Sequence, residues 1–246
     1  MSEVAAGPVA GRSVPSPLRV GGFVPFSSTD FPDALAAVVF CQGCPWRCAY
    51  CHNPHLIAPR GDDEHQFADI ITWLSTRRGL LDAVVFSGGE PTAQVALFDA
   101  IEEVRALGFQ VGLHTGGAYP RHLARVLPRL DWVGIDIKAP GAEYVTVTGI
   151  AHSGLAALAS LDLVRRAGVA HEVRTTVHPE VTPAAAMERL ARELAARGVI
   201  RWILQPFRPT GCANQSLVAA APGGTVLDEA LLARLSAHVP IIDVRG

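Results

Sequence analysis

The sequence lacks three features that mark whole classes of protein. It has no excess of one charge, because 21 Lys and Arg residues face 23 Asp and Glu residues and leave a formal net charge of −2. No stretch approaches the roughly 18 consecutive apolar residues of a membrane span, and the amino terminus lacks the basic start and apolar run of a secretory signal. Binders of nucleic acid or membrane surfaces usually carry a basic excess. We therefore expect a cytoplasmic protein that binds neither nucleic acid nor a membrane.

Charged residues are scarce, at 18% of 246 residues, whereas hydrophobic residues make up 49%. This composition excludes intrinsic disorder for most of the chain. The length suits one α/β barrel-like domain, because such folds often run to about 200–250 residues as a single unit. Residues 1–17 are rich in Ala, Gly, Pro, Ser and Val and are predicted to form a mobile tail. Residues 18–246 are predicted to form one domain.

Cysteines are also few, and they are not spread along the chain. Of 5 cysteines, Cys41, Cys44, Cys48 and Cys51 fall in one short segment, and Cys212 stands alone. A secreted disulfide scaffold distributes its cysteines to tie distant segments together, whereas clustering indicates metal or redox chemistry.

Short continuous apolar runs alternate with segments of helical character. The runs typical of buried parallel strands are 36–40, 83–86, 109–113, 132–137, 172–177 and 201–204. The helical segments are 66–76, 95–107, 121–127, 154–167, 183–197 and 226–237, with a further strand at 241–244. Such alternation predicts right-handed βαβ units in a parallel sheet. We predict an α/β fold, a partial, open (β/α)6-type TIM-like barrel, with a flat doubly wound sheet as the alternative.

Chemically active residue types follow the ends of successive predicted strands. The cysteine segment follows the first strand, Ser87-Gly88-Gly89-Glu90-Pro91 the second and His114-Thr115-Gly116-Gly117 the third, and Asp136-Ile137-Lys138 ends the fourth. Parallel α/β folds place their chemistry at the carboxyl ends of the strands. We therefore expect these residues on one rim of the barrel.

Cys44, Cys48 and Cys51 form a C-x3-C-x2-C set. Three thiolates in a compact loop suit an iron–sulfur cube, and a cube held by three cysteines leaves one iron open for chemistry. Two alternatives remain: a structural zinc site, although its usual knuckles are separated by a longer span, and an electron-transfer cluster held by all four cysteines. Cys41 directly ends a strand, where a buried thiol is the default, and it is assigned no ligand role.

The glycine-rich element offers a second set of contacts. Gly88 and Gly89 permit a close approach of the backbone to a ligand, and Glu90 is suited to accept hydrogen bonds from an ammonium group. Taken alone, the element is equally consistent with an ordinary turn between a strand and a helix.

The residues Cys44, Cys48, Tyr50 and Cys51 match C-x3-C-x-aromatic-C, and in this the chain resembles the radical S-adenosylmethionine (SAM) superfamily. The resemblance implies one 4Fe–4S cluster, SAM bound at the open iron, and reductive cleavage of SAM to methionine and a 5′-deoxyadenosyl radical. It also implies that Tyr50 lies against the adenine. Gly88, Gly89 and Glu90 resemble the GGE motif that holds the amino end of SAM.

Further motifs narrow the resemblance to glycyl-radical-enzyme activases, with the greatest similarity to the anaerobic ribonucleoside-triphosphate reductase activating proteins. These motifs are Phe40-Cys41-Gln42-Gly43-Cys44, Tyr50-Cys51-His52-Asn53-Pro54, Asp136-Ile137-Lys138-Ala139-Pro140, Arg174-Thr175-Thr176-Val177 and Leu204-Gln205-Pro206-Phe207. The resemblance implies a glycyl radical enzyme as partner and a low-potential electron donor such as flavodoxin or ferredoxin. It also implies that Asp136, Lys138 and Arg174 lie at the SAM site.

The sequence departs from these activases at two places. Cys41 stands where relatives often have Thr, and His114-Thr115-Gly116-Gly117 stands where they often have Asp-Thr-Asn-Gly. A cation site built on that Asp is therefore not expected, while Thr115 is still predicted to bond the ligand; His114 and Cys212 receive no role. The alternative functions are a radical SAM enzyme acting on a small molecule, an electron-transfer protein and a zinc-binding interaction module.

Overall fold

The protein is described by a computed structural model over residues 17–62, 64–221 and 227–245. The strands in these ranges are β1 (Arg19–Ser27), β2 (Ala36–Cys41), β3 (His65–Gln66), β4 (Ala83–Gly88), β5 (Gln110–Thr115), β6 (Trp132–Asp136), β7 (Ala170–Val177), β8 (Arg201–Pro206) and β9 (Ile241–Val244). The α-helices are α1 (Phe67–Ser75), α2 (Leu97–Ala106), α3 (Pro120–Val126), α4 (Tyr144–Thr148), α5 (Ser153–Ala167), α6 (Ala184–Ala196), α7 (Gln215–Ala220) and α8 (Glu229–Ser236).

The strands form one sheet in the order β3-β1-β2-β4-β5-β6-β7-β8-β9. From β2 to β9 every neighbouring pair is parallel, and β1 pairs antiparallel with both β2 and β3. The prediction of an α/β fold with an open, partial barrel is thereby confirmed. Each predicted strand is present, and its ends lie within two residues of the prediction.

Several elements escaped the sequence analysis. β1 contains Gly21, Gly22 and Pro25, which interrupt the apolar run that marks the other strands. The short helices α4 and α7 span only 5 and 6 residues, too few to show a helical period. The predicted tail, except for Pro17, and the predicted helix start at Val226 lie outside the described residues. The assignment of 18–246 to one domain stays a prediction.

Successive residues of the central strands pack on opposite faces of the sheet. Ala37 and Val39 of β2 belong to the large core between the sheet and the helices. Ala36 and Val38 belong to a smaller core on the other face, together with Trp132. Because side chains alternate along a strand, a continuous apolar run fills both faces. The polar residues of the strands are therefore concentrated at their ends.

Within the described residues, no single helix has the length and apolar character needed to cross a bilayer. The segments Gly141–Thr148 and Ser153–Ala167 meet those criteria only when taken together, and they bend by 117° where they join.

Candidate active site

One cavity, of about 210 Å³, lies at the carboxyl ends of the parallel strands. Every site residue predicted from the sequence contributes to its wall: Cys44, Cys48, Tyr50, Cys51, Gly88, Gly89, Glu90, Thr115, Asp136, Lys138 and Arg174. The wall also contains residues without a prior assignment, among them His52 and His114. The fold thus brings together side chains that lie more than a hundred positions apart in the sequence.

Backbone hydrogen bonds hold the cysteine loop in place. The N–H of Cys44 donates to Ile57 O at 3.1 Å, and the N–H of Gly43 donates to Leu56 O at 2.9 Å. On the other side, the N–H of Ala49 donates to Val147 O at 2.9 Å. The loop is therefore tied both to the segment that follows it and to helix α4. This anchoring fixes the backbone that carries the three thiols.

Two buried glutamines, which the sequence analysis missed, brace the same loop. The amide of Gln42 donates to His55 O at 3.1 Å and to Ala58 O at 2.7 Å. The amide of Gln94 donates to Gln42 O at 3.0 Å and to Arg19 O at 2.8 Å. Buried amides are stable only when hydrogen-bonded, and these amides link β1 to the start of the cysteine loop. A contact between positions 52 residues apart leaves no local pattern in the sequence.

The three thiols are free and half-buried. Burial raises the pKa of Cys44 to about 12 and also raises the pKa values of Cys48 and Cys51, while the charge of Lys138 opposes each rise. Neutral thiols must lose their protons to a bound metal, because the thiolate is the ligand form. In the described part of the chain, no three His, Cys, Asp or Glu side chains are placed to hold a single metal ion.

The Glu90 carboxylate is held rigidly. Its Oε1 accepts from the Thr92 N–H at 3.1 Å and from the hydroxyls of Thr92 and Thr115 at 2.5 and 2.7 Å. Its Oε2 accepts from the Gly116 N–H at 2.9 Å. Oε2 thus retains acceptor capacity, since a carboxylate oxygen has room for a second donor. This arrangement suits the recognition of an ammonium group at the cavity wall.

The two glycines before Glu90 are required by close backbone packing. Gly88 has φ +104°, and a Cβ there would lie 2.6 Å from the backbone nitrogen of Cys41. A Cβ at Gly89 would lie 2.4 Å from Gly43 O. The close approach lets the Gly89 N–H donate to Cys41 O and the Glu90 N–H donate to Gly43 O, both at 2.9 Å. The GGE loop and the cysteine loop therefore form one rigid unit.

A charged cluster forms another part of the cavity wall. Asp136 and Arg174 are register partners on β6 and β7, and Arg174 Nε donates to Asp136 Oδ1 at 3.0 Å. Lys138 Nζ lies 3.5 Å from Asp136 Oδ2 and 5.8 Å from the ring centre of Tyr50. Burial alone would raise the pKa of Asp136, but Arg174 and Lys138 together hold it below its usual value. Asp136 is therefore ionised and fixes both cations.

Lys138 is the only lysine in the chain, which makes its charge state directly measurable. Burial opposes its charge, but its acidic neighbours, of which Asp136 is the ionised one, raise the pKa of Lys138 well above its usual value. A raised pKa lowers the fraction of reactive free amine at a given pH. We expect an amine-acylating reagent near pH 8 to modify Lys138 at least ~10-fold more slowly in the folded protein than in guanidinium, as measured by mass spectrometry of the peptide.

The matched control for this labelling is Lys138→Arg, which leaves the chain without any ε-amino group. Residual acylation of that variant reports the amino terminus alone. Equal rates of Lys138 acylation in the folded and unfolded protein would contradict a charged, enclosed lysine.

His114 and Gly116 account for the departure from the activase pattern. His114 Nε2 lies 2.9 Å from Asp30 O, and Nδ1 lies 3.4 Å from Ser87 Oγ. Burial and the adjacent Arg174 lower the pKa of His114 to about 4, so the ring is neutral, with Nε2 assigned as the donor. At Gly116 a Cβ would lie 2.4 Å from the Trp46 ring. The larger side chain found in relatives therefore has no room here.

Gly134 makes the charged cluster possible and was also missed by the sequence analysis. It lies on β6, where its register partners are His114 on β5 and Glu172 on β7. A Cβ there would lie 2.7 Å from the Arg174 Cζ. The absent side chain thus gives the guanidinium space to reach across the sheet.

The remaining cysteines differ in position. Cys41 is fully buried in the core, opposite Gly88 in the ladder, and burial raises the pKa of its thiol. Cys212 is buried close enough to Cys51 to influence its pKa. Neither thiol lines the cavity.

The chemical groups that line the cavity are suited to an iron–sulfur cluster and a nucleotide. It presents three soft sulfur ligands beside one cation, a carboxylate with a spare acceptor site, and a Tyr50 hydroxyl that is buried without a hydrogen-bond partner among the described residues. Such an orphaned hydroxyl is rare in folded proteins, and a bound ligand would satisfy it.

Comparison with known proteins agrees with this fit. The sequence profile of the Radical SAM superfamily matches residues 38–194. A Methanocaldococcus jannaschii protein, provisionally named a glycyl-radical enzyme activating enzyme, is 30% identical over 199 residues, covering 77% of this chain and 80% of that protein. The pyruvate formate-lyase-activating enzyme of Clostridium pasteurianum is 30% identical over 154 residues, which cover 60% of this chain and 64% of that enzyme.

Solved structures share the fold at low sequence identity. SuiB from Streptococcus suis, bound to its precursor peptide SuiA, superposes with a TM-score of 0.62 at 12% identity, covering 85% of this chain but only 48% of SuiB. QueE from Escherichia coli superposes with a TM-score of 0.53 at 15% identity, and the match covers 93% of this chain and 94% of QueE. The profile match extends over more than half of the chain, and the protein therefore belongs to the radical SAM superfamily.

Proposed function

We propose that this protein is a glycyl-radical-enzyme activase, which uses SAM and a 4Fe–4S cluster to remove a hydrogen atom from a glycine of a partner enzyme. The observation that carries the proposal is the single cavity that joins the three cysteines, Glu90 and the Asp136–Lys138–Arg174 cluster. The activase names of two relatives support it. From the motifs given above, the proposed partner is an anaerobic ribonucleoside-triphosphate reductase.

Cys44, Cys48 and Cys51 would hold three irons of the cluster, which, when bound, supplies the electron that cleaves the sulfonium of SAM. Lys138 places a positive charge beside the thiolates and reduces their mutual repulsion. Glu90 Oε2 would accept from the amino group of SAM, and Gly88 and Gly89 would let the backbone lie close to it.

The charged cluster and Tyr50 have complementary roles in this proposal. Asp136 orients Lys138 and Arg174 through its two carboxylate oxygens. Tyr50 presents a buried aromatic face for the adenine and a hydroxyl in need of a partner. These residues bind and orient the nucleotide and exclude water.

A second candidate is a radical SAM enzyme that acts on a small molecule. It is favoured by the 7-carboxy-7-deazaguanine synthase of Thermococcus kodakarensis, which is 27% identical over 123 residues, covering 41% of this chain. An electron-transfer protein, by contrast, has no use for a preformed carboxylate and charged cluster facing the cysteines.

The test combines the anaerobically reconstituted protein, SAM and a candidate ribonucleotide reductase, with reduced flavodoxin or ferredoxin as the electron donor. We expect a glycyl radical signal by electron paramagnetic resonance on the reductase. A reductase in which Ala replaces the radical-bearing Gly is the control and is expected to give no signal. Failure with every glycyl radical enzyme of the source organism, together with SAM cleavage stimulated by a small molecule, would establish the second candidate.

A further inference from the structure

A second cavity, of about 680 Å³, adjoins the proposed cofactor cavity and shares His114 and Arg174 with its wall. Other parts of its wall come from Thr29 and Asp30, in the connection between β1 and β2, and from Val244 of β9. β9 is the last strand of the sheet. The second cavity therefore lies at the open side of the partial barrel, next to the proposed site of radical formation.

Two of the three arginines of this wall are held in ion pairs, and the Asp30 carboxylate accepts a hydrogen bond from the Ser27 hydroxyl at 2.5 Å. Arg245 donates to both oxygens of Glu172, at 2.8 and 2.5 Å. Arg174 is committed to Asp136 at 3.0 Å. A small ion that displaced one member of either pair would leave the other unpaired, which is strongly unfavourable away from bulk water. Arg208 also lines the cavity, but it is exposed, so water and salt screen its attraction for an anion.

Gln205, in contrast, is available for binding. It belongs to a motif that has no role in the cofactor cavity, lies half-buried on β8 and lines the second cavity. In the described part of the chain, no partner bonds to its side-chain amide. An amide carries donors and an acceptor, and it therefore complements the N–H and C=O of a peptide group. The indole of Trp132 supplies an apolar wall nearby.

We propose that the second cavity is the substrate site and that it takes a neutral segment of polypeptide main chain, hydrogen-bonded to the Gln205 amide, rather than a small anion. The inference rests on the proposed activase function, in which that segment is the glycine-bearing loop of the partner. A wall in which Arg174 and Arg245 are ion-paired, and in which the Gln205 amide has no partner among the described residues, matches uncharged peptide groups. Gln205 is thus a specificity-determining residue for the substrate.

The test measures binding to the reconstituted protein with SAM present, by anaerobic calorimetry. The probe is the capped peptide acetyl-Ala-Ala-Gly-Ala-Ala-amide, and succinate is the anionic comparison. We expect saturable binding of the peptide, weaker binding of succinate, and a peptide Kd raised about 10-fold in Gln205→Met, because the peptide group loses its buried partner. Gln205→Glu, which keeps the size but loses the donor, is expected to weaken binding as well. Gln110→Leu, at an exposed position on β5, is the matched control and should bind like the original protein.

The possible outcomes separate this inference from the activase proposal. The inference is overturned if succinate binds more tightly than the peptide, if the peptide does not bind saturably, or if both Gln205 variants bind the peptide as tightly as the original protein. If glycyl radical formation on a partner is observed but is unchanged in Gln205→Met, the activase stands and the inference falls. If the peptide binds through Gln205 but no partner acquires a radical, the activase falls and the peptide site stands.

Discussion

Replacing Cys48 with Ala is expected to abolish both the complete 4Fe–4S cluster and the release of 5′-deoxyadenosine from SAM. Loss of a residue that only supports a metal ligand typically lowers metal affinity about 10–100-fold. Loss of a ligand itself should have a larger effect, so we expect the rate of 5′-deoxyadenosine release to fall by at least ~100-fold. No other cysteine is placed to substitute, since neither Cys41 nor Cys212 lines the cavity. The measurements are iron and sulfide content, visible absorption and chromatography of the nucleoside product.

Cys41→Ala is the matched control. Its thiol is fully buried and does not line the cavity, so the variant should keep the cluster while losing some stability. The thiol is small, and its removal from a packed core should cost about 1 kcal/mol. A full cluster in Cys48→Ala, or its loss in a folded Cys41→Ala, would falsify the assignment of the ligands.

Replacing Glu90 with Gln is expected to impair both folding stability and SAM binding. Four donors converge on the buried carboxylate. An amide nitrogen in place of Oε2 would face the Gly116 N–H, leaving a buried donor without an acceptor, at a cost of about 1–3 kcal/mol. For a chain of this size, each kcal/mol lowers Tm by about 2–4 °C. Calorimetry should show that fall, and SAM affinity should drop about 10-fold with the loss of the charge-assisted bond.

The control for Glu90 is Glu188→Gln, which removes a carboxylate from an ion pair with Arg234 on the surface. Ion pairs on the surface contribute little to the free energy of unfolding, so this variant should keep Tm within about 1–2 °C of the original value. Equal Tm values and equal SAM affinities for the two variants would mean that the network around Glu90 holds neither the loop nor the ligand.

The predicted strands were found because a buried parallel strand requires a continuous apolar run, and such runs stand out in the sequence. β2 and β4 are examples, with apolar residues on both faces of the sheet. β1 was missed because Gly21, Gly22 and Pro25 break that pattern. β3 pairs only with Arg19 and Val20, so the rest of β1 has no strand on its outer side, where such residues are tolerated.

The predicted site residues share a second property that is visible in the sequence. Cys44, Gly88, Thr115 and Asp136 all lie at or just beyond the end of a strand. In a parallel sheet, strand ends meet on one rim. Their convergence on one cavity therefore followed from the order of the elements. What each residue does for a bound nucleotide stays a proposal.

The sequence by itself determined the class of fold, the three-thiol loop and the rim on which the site lies, since local apolar runs and residue spacing encode all three. Tertiary structure alone decided the bracing of the loop by Gln42 and Gln94, the neutral His114 beside Arg174, and the second cavity with its unpaired Gln205. These depend on which side chains meet across strands and on how much water the packing excludes. Neither property is a function of neighbouring residues in the chain.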